Sequence, residues 1–240
     1  MAVPYFFSNF PAAQQYCPDD YEFERASDLT PWTFSVSGHA VPTQVDSVDT
    51  GQLTLGSGSV TSGAYVAMQK TALTVQPNRL GKTYEFTWII QLSSATLTQA
   101  LVGLGTANAN PLNTNITNGF GMYANLTNGL SATNWTIFLA LASTTQFTTY
   151  AQLPGPPVDT SMHTLSILYK TDPTTLCAGS MVFFWDTVAG GSMNQLNNGY
   201  SSTSAAIFPQ VPMGLLQAMG NGSGAAQTMK IGKVTKLATR

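Results

Sequence analysis

Apolar and polar residues alternate with a period of two along much of the chain. In TYEFTWIIQ (83–91) the large apolar side chains fall on one face and the polar ones on the other. PWTFSVSG (31–38) has the same pattern. Such alternation predicts half-buried β-strands. In NWTIFLALAS (134–143) both faces are apolar, so we predict a strand that is covered on both sides.

Turn signals rich in Gly and Asn separate these runs at short intervals, as in Asn118-Gly119, Asn128-Gly129 and Gly190-Gly191. Many short strands with such turns predict an all-β sandwich or barrel. Helix is scarce, and residues 9–15 could form one short helical turn with Pro11 in its first position. For the end of the chain, MKIGKVTKLATR (229–240), we favour a strand with a bulge at Gly232 over a helical turn.

The predicted strands and their turns follow one another in a definite order: GQLTLGSG, LGKTYEFTWIIQLSS, ALVGLG, GFGMYANLTNG, MHTLSILYKTD, SMVFFWDTVAGG and MKIGKVTKL. This order resembles the concanavalin A-like jelly roll, in the broad sense that includes laminin-G-type modules. The resemblance implies an antiparallel jelly-roll β-sandwich over about residues 27–237, with residues 27–40 beside residues 229–237. It implies no activity, since the glycanase motif E-x-D-x-x-E and an Asp/Asn cluster of the legume type are not found in the sequence.

Charged residues make up 8% of the chain, against a usual share of about 25%. No charged residue occurs from Phe86 to Val158, and the formal net charge is −2. Such a chain has no field to attract nucleic acid or anionic lipid. The apolar run Ile137–Ala142 is far shorter than the ~20 residues of a spanning helix. We therefore expect neither a nucleic-acid nor a membrane partner.

Residue types suited to catalysis are few. Glu85 is alone on its predicted strand, and we expect it, like the other carboxylates, to be solvated or salt-bridged. His39 and His163 lie in no recognisable motif, and His163 is expected at a turn or edge. The acidic residues from Asp19 to Glu24 lack calcium-loop spacing. We therefore predict no enzyme, no metal site and no cofactor.

Carbohydrate binding is a second possibility, because the resembled fold includes many lectins. Trp32 and Trp88 fall on apolar faces and are expected in the core. Trp135 and Trp185 have apolar neighbours on both faces, and they are the candidates for stacking against a sugar. The Asn- and Gly-rich loops around residues 105–119 and 190–200 could form the rim of such a site.

An aromatic segment that proline interrupts opens the chain, and we predict a docking arm over residues 1–26 before a sandwich domain over residues 27–240. An exposed apolar segment usually marks an interface. The acidic residues that follow the segment and the lysines of the last strand are expected to pair, within one subunit or between two. The predicted partner-binding residues of the arm are Tyr5, Phe6, Phe7, Phe10 and Tyr16.

These features favour a non-enzymatic virion structural protein, by analogy with bacteriophage jelly rolls that decorate capsids. The arm would dock on other virion proteins or on neighbouring copies, and the analogy suggests a homo-oligomer such as a trimer. The alternative is a lectin-like module of a phage fibre or tail that binds a cell-surface glycan. With no export signal in the opening residues, we expect synthesis in the host cytoplasm and location in the virion. Cys17 and Cys177 are expected as two reduced thiols rather than a disulfide.

Overall fold

The computed structural model describes residues 19–21, 29–39, 45–46, 52–56, 59–70, 75, 79–112, 116–126, 133–141, 151–176, 178–186, 193–202, 208–209, 211–222 and 224–238. Within these residues the chain forms antiparallel β-strands and no α-helix. The strands in chain order are β1 (Asp19–Tyr21), β2 (Trp32–Ser37), β3 (Val45–Asp46), β4 (Gln52–Leu55), β5 (Tyr65–Lys70), β6 (Thr83–Leu92), β7 (Thr98–Gly105), β8 (Gly119–Ala124), β9 (Asn134–Ala140), β10 (Ala151–Pro157), β11 (His163–Thr171), β12 (Gly179–Asp186), β13 (Met193–Ser202), β14 (Gly214–Asn221) and β15 (Met229–Ala238).

The strands form two sheets that pack face to face. The eight-stranded sheet has the order β13-β12-β11-β6-β15-β4-β3, and β1 also pairs with β15. The seven-stranded sheet has the order β10-β9-β8-β7-β14-β5-β2. Since neighbours in the sheets are often distant in sequence, this is a jelly-roll β-sandwich, and the predicted fold class is confirmed.

The core between the sheets contains a connected group of aromatic rings. Phe86 of the eight-stranded sheet lies 6.3 Å from Phe120 of the seven-stranded sheet, between ring centroids. Phe120 in turn lies 5.8 Å from Tyr169, and Tyr169 lies 4.8 Å from Phe208. Tilted pairs at these separations are favourable beyond the burial of their area. The rings therefore join three strands and both sheets.

The strand β15 confirms the bulge predicted at Gly232. Its pairing with β6 shifts register between Ile231 and Val234. A Cβ atom at position 232 would lie 2.9 Å from the Cβ of Ile89. The bulge thus occurs where the backbone approaches a neighbouring strand too closely for a side chain.

The prediction that residues 27–40 lie beside the last strand is wrong. Residues 32–37 form β2, which pairs with β5 in the other sheet. The strand β15 is instead flanked by β6, by β4 and by the short strand β1. Asp19 lies opposite Lys236 in this pairing, so the start of the acidic run and the basic strand meet within one chain. The predicted boundary at residue 26 stays a prediction.

Two strands test the burial that alternation of apolar and polar residues predicts. The strand β9 is buried on both faces from Trp135 to Ala140, as predicted. The strand β6 was predicted to be half-buried, yet Glu85 and Thr87 on its polar face are 3% and 5% exposed. The hydroxyl of Thr87 lies 2.7 Å from that of Ser166 on β11. The prediction for the polar face of β6 is therefore wrong at Glu85 and Thr87, whereas Thr83, Ile89 and Gln91 on that face are half-buried.

Some predictions fall outside the described residues. These are the helical turn at 9–15, the pairing state of Cys17 and Cys177, and the aromatic residues of the arm. For the residues that are described, the structure contains no helix with the length and hydropathy needed to cross a bilayer.

One polar side chain is buried in the core without a hydrogen bond. Gln217 lies on β14 between the core residues Leu215 and Met219 and is fully buried. Neither its amide nitrogen nor its amide oxygen has a hydrogen-bond partner among the described residues. A buried amide without partners destabilises the folded state.

We expect Gln217→Met, which keeps the length of the side chain, to raise the free energy of unfolding by about 1–3 kcal/mol. Urea denaturation monitored by tryptophan fluorescence measures this change. Gln69→Met is the matched control, because both ends of the Gln69 amide are hydrogen-bonded, and it should give no gain. A Gln217→Met variant less stable than the wild type would contradict the prediction.

Candidate functional site

Trp135 and Trp185, the predicted sugar-stacking residues, are buried in the core. Their side chains are 2% and 5% exposed, and their ring centroids lie 5.8 Å apart. Trp185 also stacks on the imidazole of His163, at 4.5 Å between centroids. A sugar can stack only on an aromatic face that water reaches. This prediction is therefore wrong, because apolar neighbours on both strand faces meant burial on both sides.

His163 and Asp159 form a hydrogen-bonded pair at the start of β11. The Nε2 atom of His163 lies 2.8 Å from Oδ1 of Asp159, and the backbone amide of Ser161 donates to the same oxygen at 2.6 Å. Burial opposes the charge on Asp159, but these hydrogen bonds outweigh it and hold the pKa of Asp159 below its ordinary value. The pair closes the turn that enters β11.

His39, the other histidine, follows β2 and is buried. Its burial lowers its pKa more than a hydrogen bond with the Ala64 backbone raises it. We therefore expect His39 to be neutral at pH 7.

Glu85 was expected to be solvated or salt-bridged, and that expectation is wrong. The side chain is 3% exposed, and its Oε2 atom has no hydrogen-bond partner in the described part of the chain. Desolvation raises the pKa of Glu85 to about 7. The residues directly opposite Glu85 on the two neighbouring strands are Leu168 and Leu237, and neither is a carboxylate.

Because the pKa of Glu85 is about 7 in the folded chain against an ordinary 4.5, folding takes up a proton between these values. Stability should therefore be highest below about pH 4.5 as far as this group is concerned, and fall as the pH rises through 7. The full difference is about 3 kcal/mol.

We expect Glu85→Gln to remove the fall in the free energy of unfolding between pH 5 and pH 8. Urea denaturation at both pH values measures it. Asp172→Asn, at an exposed carboxylate, is the control and should leave the loss in place. If Glu85→Gln retains the same fall in stability, the carboxylate is not responsible for it.

The outer face of the seven-stranded sheet carries a second layer of apolar contacts. Residues of the loop after β7 fold over this face, and Leu112 and Ile116 are buried on it. They join Leu101, Tyr123 and Phe138, which alternate away from the main core. A Cβ atom at Gly220 would lie 2.8 Å from the Cδ1 of Leu112. The middle of the face is therefore closed by this loop.

Beside the loop, the strands β2 and β5 leave part of the outer face open to solvent. Thr33, Ser35 and Ser37 of β2 lie directly opposite Gln69, Ala67 and Tyr65 of β5. Opposite residues in an antiparallel pair share a face. Thr33 and Ser37 are exposed, whereas Ser35, Tyr65 and Gln69 are half-buried. We refer to these six residues as the shelf.

Hydrogen bonds from Gln69 hold the loop against the shelf. Its Nε2 donates to the carbonyl oxygen of Gly105 at 3.5 Å, and its Oε1 accepts from the backbone amide of Asn108 at 3.2 Å. The Oδ1 of Asn108 then accepts from the amide of Asn110 at 2.9 Å. The loop predicted as a rim at residues 105–119 thus borders the shelf through the backbone groups of Gly105 and Asn108, which the side chain of Gln69 binds.

The shelf carries no charged side chain. Lys70, the charged residue of β5, lies opposite Trp32 and alternates to the other face. The six residues of the shelf supply three hydroxyls, one amide, the buried methyl group of Ala67 and a half-buried tyrosine that packs against the outer apolar cluster. An aromatic ring beside hydroxyl and amide groups suits a neutral, hydroxyl-rich ligand, because the ring covers C–H groups while the polar atoms exchange hydrogen bonds.

No cluster of three or more His, Cys, Asp or Glu residues that could hold a metal ion occurs among the described residues. The backbone of Asp19–Tyr21 is described as β1, whereas Glu22 and Glu24 lie outside the described part.

Comparison with known proteins identifies the fold. The chain is similar to lectin UEA-II complexed with galactose (12% identity, TM-score 0.63, covering 93% of this chain and 99% of that chain). It is also similar to lectin I-B4 from Griffonia simplicifolia in a metal-free form (11%, 0.61, 93% and 100%). A third similar structure is arcelin-5, a lectin-like defence protein from Phaseolus vulgaris (7%, 0.59, 94% and 99%).

No protein-family model and no curated sequence matches the chain. At these identities the solved structures show the fold alone. The chain therefore has the concanavalin A-like jelly-roll fold, as its strand order suggested.

The shelf was not predicted from the sequence. Its signal is the segment AYVAMQK (64–70), in which Val66 and Met68 alternate with Tyr65, Ala67 and Gln69. That alternation places one aromatic residue among small and polar ones on the outward face. It becomes informative only when β2 is known to pair with β5 and to contribute its hydroxyls to the same face.

Proposed function

We propose that this protein is a non-enzymatic, lectin-like module that binds a neutral carbohydrate on the shelf. The observation that carries the proposal is the composition of the shelf, which offers hydroxyls, an amide and the ring of Tyr65 without a charge. The fold supports it, since its solved neighbours include a lectin complexed with galactose. A ligand with terminal galactose is therefore the first probe to use.

The absence of an enzymatic role is part of the same proposal. It is supported by the positions of Glu85, which is buried on the outer face of the other sheet, and of Asp159, whose carboxylate is engaged by His163 and Ser161. Neither carboxylate lies on the shelf. Because the shelf is neutral and offers a single aromatic ring, we expect weak binding of a single sugar, with a dissociation constant of about 1 mM.

A virion structural role, with capsid decoration as its leading form, is our second proposal. It is supported by the aromatic opening segment and by the low charge of the chain. The residues that would dock, Tyr5 to Tyr16, lie outside the described part. The two roles are compatible, since a virion component can also bind a glycan on the host cell.

We expect Tyr65→Ala to weaken binding of a neutral galactose-terminated oligosaccharide by about tenfold or more, because a stacking contact worth about 1.4 kcal/mol is lost. Tyr65→Phe, which keeps the ring, should bind within about threefold of the wild type. Isothermal titration or ligand-observed NMR measures both affinities.

Leu176→Ala is the matched control, because Leu176 is 55% exposed and lies on a turn of the other sheet. It should bind like the wild type. If the wild type binds no neutral oligosaccharide at millimolar concentration, the carbohydrate role is wrong. If it binds and Tyr65→Ala binds equally well, the role stands and the shelf is the wrong site.

A further inference from the structure

Two turns meet at one end of the eight-stranded sheet and form a defined tip. Residues 79–82 precede β6, and residues 172–176 follow β11. The amide of Gly81 donates to the carbonyl oxygen of Asp172 at 3.1 Å, and the amide of Lys82 donates to the hydroxyl of Thr171 at 2.6 Å. The Oδ1 atom of Asp172 accepts from Thr174 and Thr175 and so fixes the second turn. We call residues 79–82 and 172–176 the tip.

The tip exposes apolar side chains. Leu80 is 43% exposed and Leu176 is 55% exposed, and they account for two of the five large apolar residues that are this exposed in the described part of the chain. The two leucines lie on turns that adjoin each other, because a Cβ atom at Gly81 would be 3.9 Å from Pro173. Exposed apolar side chains on adjoining turns favour contact with another apolar segment.

Cationic residues lie on the tip and on the adjoining strand end. Arg79 and Lys82 belong to the tip, and Lys170 lies opposite Thr83 at the adjoining end of β11. Asp172 is the counter-charge, and its carboxylate is engaged in its own turn. Cations beside apolar groups suit a segment that is rich in aromatic rings, since ring faces attract cations.

The path of β1 directs the start of the chain towards this same end. Asp19 lies opposite Lys236, and Lys236 lies opposite Phe86, whereas Tyr21 lies opposite Val234. Going backwards from Tyr21 to Asp19, the chain therefore runs along β6 in the direction of Thr83 and the tip. Residues 1–18 are attached at that end of the sheet.

Residues 1–18 are long enough to reach the tip of their own chain. Asp19 is two strands from β6 and lies level with Phe86, which is five residues from Gly81. Strands lie ~4.8 Å apart and rise ~3.3 Å per residue, so Asp19 and the tip are separated by about 20 Å. Eighteen residues can span up to about 60 Å. A tethered segment also has an effective concentration of about 1 mM, which favours its own chain over a neighbour.

We propose that the tip is the docking site of residues 1–18 of the same chain. This segment has no charged side chain, and its apolar side chains include Tyr5, Phe6, Phe7 and Phe10. These rings match the exposed leucines and the adjoining cationic residues. The inference does not depend on the proposed carbohydrate role, since the tip and the shelf share no residue.

The test is hydrogen–deuterium exchange of the full chain, read by mass spectrometry on peptides that cover residues 5–16. We expect these amides to exchange about tenfold or more slowly than an unprotected chain, and the double variant Leu80→Asp, Leu176→Asp to abolish this protection. Light scattering on the same samples, over a range of concentrations, reports whether chains associate.

Val60→Asp is the matched control, because Val60 is 62% exposed and adjoins Ser59 and Asn221 at the other end of the sandwich. It should leave the protection unchanged. An unchanged urea midpoint shows that the double variant is folded. The proposal is overturned if residues 5–16 are unprotected in the wild type or remain protected in the double variant. It is also overturned if their protection appears only at concentrations where the measured mass exceeds one chain, since the arm would then dock on a second copy.

Discussion

The fold depends on the packing of aromatic rings between its two sheets. Phe86 and Tyr169 extend from the eight-stranded sheet, and Phe120 meets them from the seven-stranded sheet. A chain with so few charges has little else to hold the layers together. Among the described residues, a single pair of acidic and basic side chains comes within bonding distance, and it is the local pair of Asp159 and His163. Burial of apolar area between the sheets therefore stabilises the sandwich.

The same packing determines which side chains the outer faces of the sheets present to solvent. Once alternate residues are committed to the core, the remaining positions face outwards, and on β2 they are the hydroxyls of Thr33, Ser35 and Ser37. On the seven-stranded sheet, Leu112 and Ile116 close the centre of that outer face and leave β2 and β5 open. The polar groups at the open side can then interact with solvent or with a ligand at little desolvation penalty. This division places a neutral surface next to a loop that Gln69 binds.

The sequence predicted the strands well and their surroundings poorly. Alternation in TYEFTWIIQ placed Phe86 and Trp88 in the core, because the inward face of a strand is visible in its own residues. Alternation did not predict the burial of Glu85, because that burial depends on the surroundings of β6 and not on the residues of β6 itself. It failed at Trp135 and Trp185 for a related reason, since apolar neighbours on both faces do not reveal which face is open. The shelf combines residues 33–37 with residues 65–69, and only the pairing of their strands brings them together.

The placement of β15 has a consequence for how the protein is made. This strand lies between β6 on one side and β4 and β1 on the other. The centre of the larger sheet is thus filled by residues 229–238, which a ribosome synthesises more than 130 residues after β6. Until they emerge, β6 presents an unpaired apolar edge, a state that is prone to aggregation. Folding dominated by such distant pairings is slow, so the sheet closes only after nearly the whole sequence has left the ribosome.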